Sequence, residues 1–400
     1  MRRLAPGPPA LSLLLAALTA LAGCGGAPRR LEAPQLGGSG SQPNAPQSLG
    51  FPAFATKNTT RVGGGDPVAD AAAVARAVYP GAAGAASRPR AVVLADQRDW
   101  QAALAAAAFM SAPLHAPLLL SDGGSLPAAS KDALDALAPS GATELNGAQV
   151  LRVGGAPAPA GYRSTTIAGS DPSALAAAID RLQSTVVGHA SRAVAIASAD
   201  DPAYAMPAAG WAAKTGNPLL FVHRDTIPGP TFAALQAHHA PRIYLLAPPS
   251  VVGRGVERAL RAIGPVTRIS APDPVSSAIA FARLRDGLYG WGVTDPGHGL
   301  VFANASRTLD AAAAAPLSAS GAYGPLLLIE DANVLPVPVG GYLLDIQPGY
   351  TQDPARGVYN HGWLIGDERS ISAVSQAELD SLLEISPRRQ SSEPSVSQVE

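Results

Sequence analysis

Cysteine is almost absent from this chain of 400 residues: the only one is Cys24, so no disulfide can form within the chain. Aromatic side chains make up only 5% of the residues, and the core must therefore be built from alanine, leucine, valine and isoleucine. Basic residues do not exceed acidic ones, since 29 Lys and Arg stand against 30 Asp and Glu. A nucleic-acid-binding protein carries a basic excess, so we expect no nucleic-acid partner.

The apolar run near the N terminus, residues 11–21, is too short to cross a bilayer, which takes about 20 apolar residues. Arg2 and Arg3 precede this run, and small residues follow it. A positive start, a short apolar stretch and small residues beside a cleavage point are the pattern of an export signal. We therefore predict export of the chain rather than a retained transmembrane helix.

The tetrapeptide at 21–24, Leu-Ala-Gly-Cys, resembles the bacterial lipobox, whose cysteine is lipidated and becomes the mature N terminus. The resemblance implies a lipoprotein signal peptide at 1–23 and a lipid on Cys24, which would anchor the chain at the extracytoplasmic face of the cell membrane. Two or three acyl chains would hold it stably, because each buried CH₂ contributes about 0.8 kcal/mol. The alternative is an ordinary secretory signal with an incidental cysteine. Composition predicts a flexible tether at 24–56 and a polar tail at 387–400.

The body of the chain repeats one unit three times. An Asp-Pro pair occurs at 66–67, 171–172 and 273–274, with spacings of 105 and 102 residues. In each unit a Pro-Leu-Leu run follows, at 117, 218 and 325, and leads to an apolar residue and a proline at 126–127, 227–228 and 335–336. Landmarks that recur in the same order predict three repeats of one structural unit, at 57–162, 163–264 and 265–386.

Helical and strand patterns alternate within each unit. In the first, residues 71–78 have a helical pattern, residues 91–95 form a short apolar run typical of a buried parallel strand, and residues 100–110 form an alanine-rich helix. Such alternation predicts an α/β fold of three tandem three-layer modules with mainly parallel sheets. The third unit contains an additional segment, 337–361, rich in Gly, Pro and Tyr, which we expect to be a surface loop or hairpin.

These motifs resemble the cell-wall-binding repeat 2 family of bacterial surface proteins. In the first unit the resemblance rests on residues 61–66, 91–94, 103–108, 117–126 and 153–155, and in the third on the Asp-Ala run at 310–316. It covers about residues 57–386. It implies a pseudo-threefold assembly of three modules that attaches to anionic polymers of the cell envelope, with the cell-wall polymer or peptidoglycan as partner.

The chain also departs from the family pattern. The family's Asp-Arg-Tyr-Glu-Thr opening is reduced to Asp-Pro followed by a short side chain in every unit. The aspartate that opens the alanine-rich helix in the family remains only at Asp310, while Ala102 and Tyr204 stand at the matching positions. Asp310 is therefore predicted to be a candidate ligand contact.

Polar residues directly after the predicted strands are further candidates, because ligands collect at the carboxyl ends of parallel strands. An alternative role is that these side chains cap the following helices. The candidates are Asp96, Asp99, Asp122, Ser198, Asp201, His223, Asn304 and Glu330.

Arg254, Arg258 and Arg261 recur at helical spacing and predict one basic stripe, which could bind an anionic polymer or simply be solvated. No histidine pair has the i, i+4 spacing of a zinc site, so we expect no metal. We also expect no cofactor, because nucleophile-elbow, phosphate-loop and full dinucleotide motifs are missing.

Together these features predict a non-catalytic lipoprotein that binds or organises envelope polymer. A solute-binding lipoprotein of a transporter is one alternative, although it would be expected to have two lobes rather than three equal repeats. A cell-wall hydrolase is the other, because similar modules accompany amidases, but the repeats leave only a tether and a tail.

Overall fold

Short strands and helices alternate along the chain, as the periodicity predicts. The computed structural model of the protein describes residues 54–80, 84, 87–319 and 323–387, which lie within the unit Pro46–Glu400. Cys24, the predicted signal peptide and nearly all of the predicted tether and tail lie outside the described residues. None of the described helices is both long enough and apolar enough to span a membrane.

Three parallel sheets with the same strand order form the framework. The first consists, in spatial order, of β4 (Leu118–Ser121), β3 (Val92–Asp96), β5 (Val150–Val153) and β6 (Ser164–Ile167). The second consists of β8 (Leu219–Val222), β7 (Ala193–Ser198), β9 (Arg242–Leu246) and β10 (Val266–Ile269). The third consists of β12 (Tyr323–Ile329), β11 (Gly299–Asn304), β14 (His361–Ile365) and β2 (Thr59–Val62). The predicted α/β class with repeated, mainly parallel sheets is confirmed.

Each sheet takes its fourth strand from another repeat. The opening strand of the second repeat, β6, completes the first sheet, and that of the third, β10, completes the second. The opening strand of the first repeat, β2, pairs in parallel with β14 and so completes the third sheet. Backbone hydrogen bonds therefore link every repeat to the next and also link the last repeat to the first.

The N-terminal edge of the third sheet is extended by the two-residue strand β1 (Phe54–Ala55), which pairs antiparallel with β2. The predicted flexible tether at 24–56 is therefore wrong at these two residues, which are part of the sheet. At the other end, β15 (Ser386–Pro387) pairs with β13 (Gly349–Tyr350).

An Asp-Pro pair starts the first helix of every repeat. Asp66, Asp171 and Asp273 each accept a hydrogen bond from the backbone N–H three residues later, at 2.9, 2.9 and 2.7 Å. Proline follows at the first helical position, where its missing N–H has no partner to lose. The helices are α1 (Pro67–Val78), α4 (Pro172–Val187) and α8 (Pro274–Arg283).

The core is centred on three alanine-rich helices, one from each repeat: α2 (Trp100–Ala106), α5 (Met206–Thr215) and α9 (Thr308–Ala319). They pack against one another, and one hydrophobic cluster extends through all three repeats. The small side chains allow close approach: a Cβ on Gly210 of α5 would lie 2.7 Å from the Oγ of Ser318 in α9. This helix packing joins the three sheets into one core.

A helix follows the apolar-Pro landmark in every repeat, and the other two helices among the described residues follow β9 and β14. These elements are α3 (Ala128–Leu137), α6 (Gly229–Ala237), α7 (Arg254–Arg261), α10 (Val337–Asp345) and α11 (Ala373–Leu383). The prediction of a loop or hairpin at 337–361 is therefore wrong for its first nine residues, which form α10. Buried Val339, Tyr342 and Leu343 attach this helix to the core despite its glycines.

Candidate functional site

The strand-end candidates lie in two loops at the carboxyl edge of each sheet. Asp96, Ser198 and Asn304 end β3, β7 and β11, and each accepts a hydrogen bond from the backbone N–H two residues later, at 3.0, 3.1 and 2.9 Å. Ser198 and Asn304 are buried. The same turn thus recurs in all three repeats, and these side chains stabilise it, as local hydrogen bonds of Ser, Asn and Asp do in turns.

Two neighbouring candidates sit at helix starts. Asp99 caps α2 by accepting from the N–H of Ala102 at 3.1 Å. Burial raises the pKa of Asp99, the cap hydrogen bond opposes the shift, and the nearby Asp96 adds to it. Asp201 precedes the short turn Pro202–Tyr204, which its side chain does not cap. Capping, the alternative weighed for these positions, describes Asp99 but not Asp201.

The candidates that follow β4, β8 and β12 are exposed. Two of them bind residues of the loop that follows the adjacent strand, β3 or β7. Asp122 pairs with the Nη2 of Arg98 at 2.6 Å, and the Nδ1 of His223 lies 2.7 Å from the Oδ1 of Asp200. The hydrogen bond from His223 lowers the pKa of Asp200, against the effect of its partial burial. Glu330 is exposed beyond β12. In the first two repeats, then, the polar strand-end residues mainly bind each other.

Asp310 is not a surface residue, contrary to the prediction. Its side chain is fully buried, and its Oδ2 accepts from the Nε of Arg307 at 2.6 Å. Arg307 also pairs with Asp70 of α1, which is fully buried too. The cluster Asp70–Arg307–Asp310 therefore lies where the first and third repeats meet, and its two carboxyl groups are closed to a polymer.

Two carboxyl groups share one guanidinium in this cluster. Burial raises the pKa of Asp70 to about 8; Asp310 contributes to the rise, while the N–H of Gly64 and the charge of Arg307 oppose it. Burial also raises the pKa of Asp310, against the effect of Arg307. One proton is therefore retained between the two carboxyls at neutral pH. Sequence reasoning missed Asp70, although a charged residue on the apolar face of α1 was a visible signal.

The arginine of the opening motif has a structural role. Arg61 of β2 is buried and donates to the carbonyls of Gly366, Asp367 and Ile371 and to the side chain of Gln376.

Arg268 of β10 occupies the same position in the second sheet. It donates to the carbonyls of Ala247 and Val252 and pairs with Glu257 at 2.7 Å. In both sheets the arginine lies on the strand that comes from another repeat, and it binds the loop that follows the adjacent strand. It is therefore unavailable to a ligand.

The predicted basic stripe does form on α7. Arg254, Arg258 and Arg261 are exposed, whereas Val256 and Leu260 on the opposite face are buried. The Nη2 of Arg261 lies 2.6 Å from Glu257, the same carboxylate that pairs with Arg268. Arg254 and Arg258 make no side-chain hydrogen bond within the described residues. Of all the predicted candidates, these two guanidinium groups are the cations best placed to meet a ligand.

Metal binding gains no support in the described ranges, where no group of three His, Cys, Asp or Glu side chains is placed to hold an ion. The expectation that the protein needs no metal stays a prediction.

Among solved structures, two from Clostridium difficile have a similar fold. Cwp8 gives a TM-score of 0.62 at 15% identity, covering 82% of this chain and 52% of its own. Cwp6 gives 0.65 at 16% identity, covering 82% and 48%. The chain thus spans about half the length of each, and at these identities the likeness shows a shared α/β fold. No protein-family model matches the sequence, and no curated protein matches it either.

Proposed function

We propose that the protein is a non-catalytic component of the bacterial cell envelope that binds anionic wall polymer through its repeats and is held at the membrane by a lipid on Cys24. The repeat motifs resemble the cell-wall-binding repeat 2 family, and the fold shared with Cwp8 and Cwp6 accords with membership of that family. The lipid anchor rests on the lipobox-like sequence alone.

The observation that carries the polymer-binding proposal is the exposed stripe on α7. Arg254 and Arg258 lie one helical turn apart on the same face. Because Glu257 is already bound by Arg261 and Arg268, it does not neutralise them through direct hydrogen bonds. Guanidinium groups present paired donors that match phosphate and carboxylate oxygens, the groups that make a wall polymer anionic.

The acidic and polar strand-end loops fit this role less well. Asp96, Ser198 and Asn304 are occupied by turn hydrogen bonds, and Asp122 is paired with Arg98. A polyanion would also be repelled by the exposed carboxylates of these loops. We therefore assign the polymer contact to α7 rather than to the carboxyl edges of the sheets.

A sedimentation assay with isolated cell walls tests the proposal. We expect the purified protein to bind walls, to bind less after the anionic polymers are extracted, and to be released as salt rises, since screening acts over about 8 Å at physiological ionic strength and about 3 Å at 1 M. Arg254→Glu combined with Arg258→Glu should weaken binding several-fold.

A charge-matched control separates the stripe from net charge. Arg88→Glu with Arg181→Glu changes the charge equally at two other exposed arginines and should leave most binding intact. Equal loss in both double variants would refute the role of the stripe, and failure to bind walls would refute polymer binding altogether. Hydrolysis of wall fragments by the purified protein would overturn the non-catalytic assignment.

The anchor is tested independently by Cys24→Ser. Without the thiol no lipid can be attached, so the variant should move from the membrane fraction to the soluble fraction or remain unprocessed. A correctly processed variant that still partitions with detergent would contradict lipid anchoring.

A further inference from the structure

A cavity of about 440 Å³ opens at the amino edge of the second sheet, where β7 and β8 begin. The C-terminal turns of α4 and α5 form its walls, through residues such as Ser184, Val187 and Thr215. Its volume is in the range of small-molecule sites in proteins. None of the predicted candidate residues lies in it.

Hydrogen-bond acceptors are concentrated in this cavity. Gln183 lines it and is almost fully buried; its Nε2 donates to the Oγ of Ser111 at 3.1 Å, but its Oε1 has no hydrogen-bond partner within the described structure. An unpaired buried acceptor costs about 1–3 kcal/mol. Because this oxygen is closed to solvent, a ligand's donor reaches it only after the Gln183 side chain rotates toward the cavity. Two helix C termini add partial negative charge, which favours a cationic group.

A buried ion pair completes the acceptor side. Asp180 lines the cavity, and its Oδ2 lies 2.8 Å from the Nε2 of His238. The Nδ1 of His238 lies 2.9 Å from the carbonyl oxygen of Ser191, so both ring nitrogens face acceptors and the imidazole is held as a cation. The Oδ1 of Asp180 makes no hydrogen bond to the residues that the structure describes.

The rim of the cavity carries a positive charge, opposite to the negative charge of Asp180 and of the helix C termini. Arg192 lines the cavity, is exposed, and has no side-chain hydrogen bond to any described residue. Acceptors and helix C termini on one side and a guanidinium group on the other match a ligand that carries both an ammonium and a carboxylate. A neutral sugar would leave Arg192 without a charged counterpart.

These features belong to the second repeat. Its opening helix α4 has 16 residues, against 12 in α1 and 10 in α8. Counted from the capping aspartate, Asp180 corresponds to Ala75 and Ala282, neither of which can accept a hydrogen bond through its side chain. The longer helix and its polar face thus form a site that is specific to the second repeat and that the shared fold of the repeats does not need.

We infer that this cavity binds a small zwitterion, a free amino acid, with its ammonium group toward Asp180 and Gln183 and its carboxylate toward Arg192. The inference does not depend on wall binding, which is assigned to α7.

Isothermal titration calorimetry on the purified protein tests it with a panel of free amino acids, their N-acetyl and amide derivatives, and glucose. At least one amino acid should bind, and loss of either charge should weaken binding by about tenfold or more, as expected for a charge-assisted hydrogen bond. Absence of binding across the panel, equal binding of the blocked derivatives, or preference for glucose would overturn the proposal.

Two variants locate the site. Arg192→Ala removes the partner of the carboxylate, and Ser184→Phe fills the cavity from α4; both should reduce binding by about tenfold or more. Arg181→Ala, an exposed arginine on the same helix that does not line the cavity, should bind like the parent protein. Thermal unfolding without ligand identifies any variant that fails to fold, and unchanged binding in both folded cavity variants would refute the assignment.

Discussion

Replacement of Asp70 by asparagine should change how the stability of this protein depends on pH. Asp70 and Asp310 are fully buried beside Arg307, where the first repeat meets the third. The amide of Asp70→Asn keeps the shape of a protonated carboxyl but has a single acceptor oxygen, so it can keep the hydrogen bond from Gly64 and loses the one from Arg307. It cannot ionise, and this isolates the titration of Asp70 from the packing of the cluster.

The magnitude follows from the shifted pKa. Burial raises the pKa of Asp70 to about 8, whereas an aspartate in an unfolded chain has a pKa of about 3.9. Between these values the native state holds a proton that the unfolded state has released. The free energy of unfolding therefore falls as the pH rises, by up to about 1.4 kcal/mol per pH unit, and levels off above pH 8. From pH 5 to pH 8 the loss amounts to at most about 4 kcal/mol.

Other groups titrate in the same window, so the comparison with the variant is essential. Burial works to lower the pKa of His238, but its bonds to Asp180 and Ser191 raise it overall, which also makes stability fall with rising pH. Burial lowers the pKa of His361, which acts in the opposite direction. Both contributions are common to the parent and to Asp70→Asn and cancel in the difference.

Denaturant unfolding at several pH values from 5 to 9 measures that difference. The lost hydrogen bond from Arg307 lowers the stability of the variant by a similar amount at every pH. From pH 5 to pH 9 the free energy of unfolding of Asp70→Asn should therefore rise relative to that of the parent by up to about 4 kcal/mol. Asp66→Asn, in which the new amide can still cap the same helix, is the matched control and should leave the slope unchanged. Parallel curves for the parent and Asp70→Asn would refute the argument.

Three further substitutions test the contact between the last repeat and the first and the packing of the core. Arg61→Ala leaves the buried Gln376 side chain and three carbonyl oxygens without their donor, so we expect a loss of about 2–4 kcal/mol in the free energy of unfolding; unchanged stability would contradict the role of this arginine in joining the terminal repeats. Gly210→Ala places a Cβ 2.7 Å from Ser318 and should destabilise the protein by about 1–3 kcal/mol, whereas Gly255→Ala, on the exposed part of α7, should stabilise it by about 0.5–1 kcal/mol. Differential scanning calorimetry distinguishes these effects, and stabilisation by Gly210→Ala would show that α5 and α9 are not closely packed.

Much of the fold could be predicted because its signals are local. The Asp-Pro helix starts at Asp66, Asp171 and Asp273, the apolar strands and the alanine-rich helices depend on nearby residues, and all appear at the predicted places. The helix that carries Arg254, Arg258 and Arg261 was predicted for the same reason, since 3.6-residue periodicity is a property of one segment. The segment 337–361 was misread because its glycines and prolines concealed a helix stabilised by tertiary burial.

The candidate site depends on contacts that are distant in sequence. Asp310 follows the family pattern, but only the packing of α1 against α9 places it beside Asp70 and removes it from solvent. Asp180, which lines the cavity, likewise pairs with His238, which is 58 residues further along the chain. No spacing rule links such positions.

The sequence by itself determined the repeat length, most element types and the Asp-Pro helix starts, since each follows from periodicity or from capping within a few residues. Only the tertiary structure decided which sheet each opening strand joins. Strands pair through backbone groups that are the same at every residue. The sequence of β2 therefore does not show whether β2 pairs within its own repeat. In the structure it pairs with β14, at the opposite end of the chain.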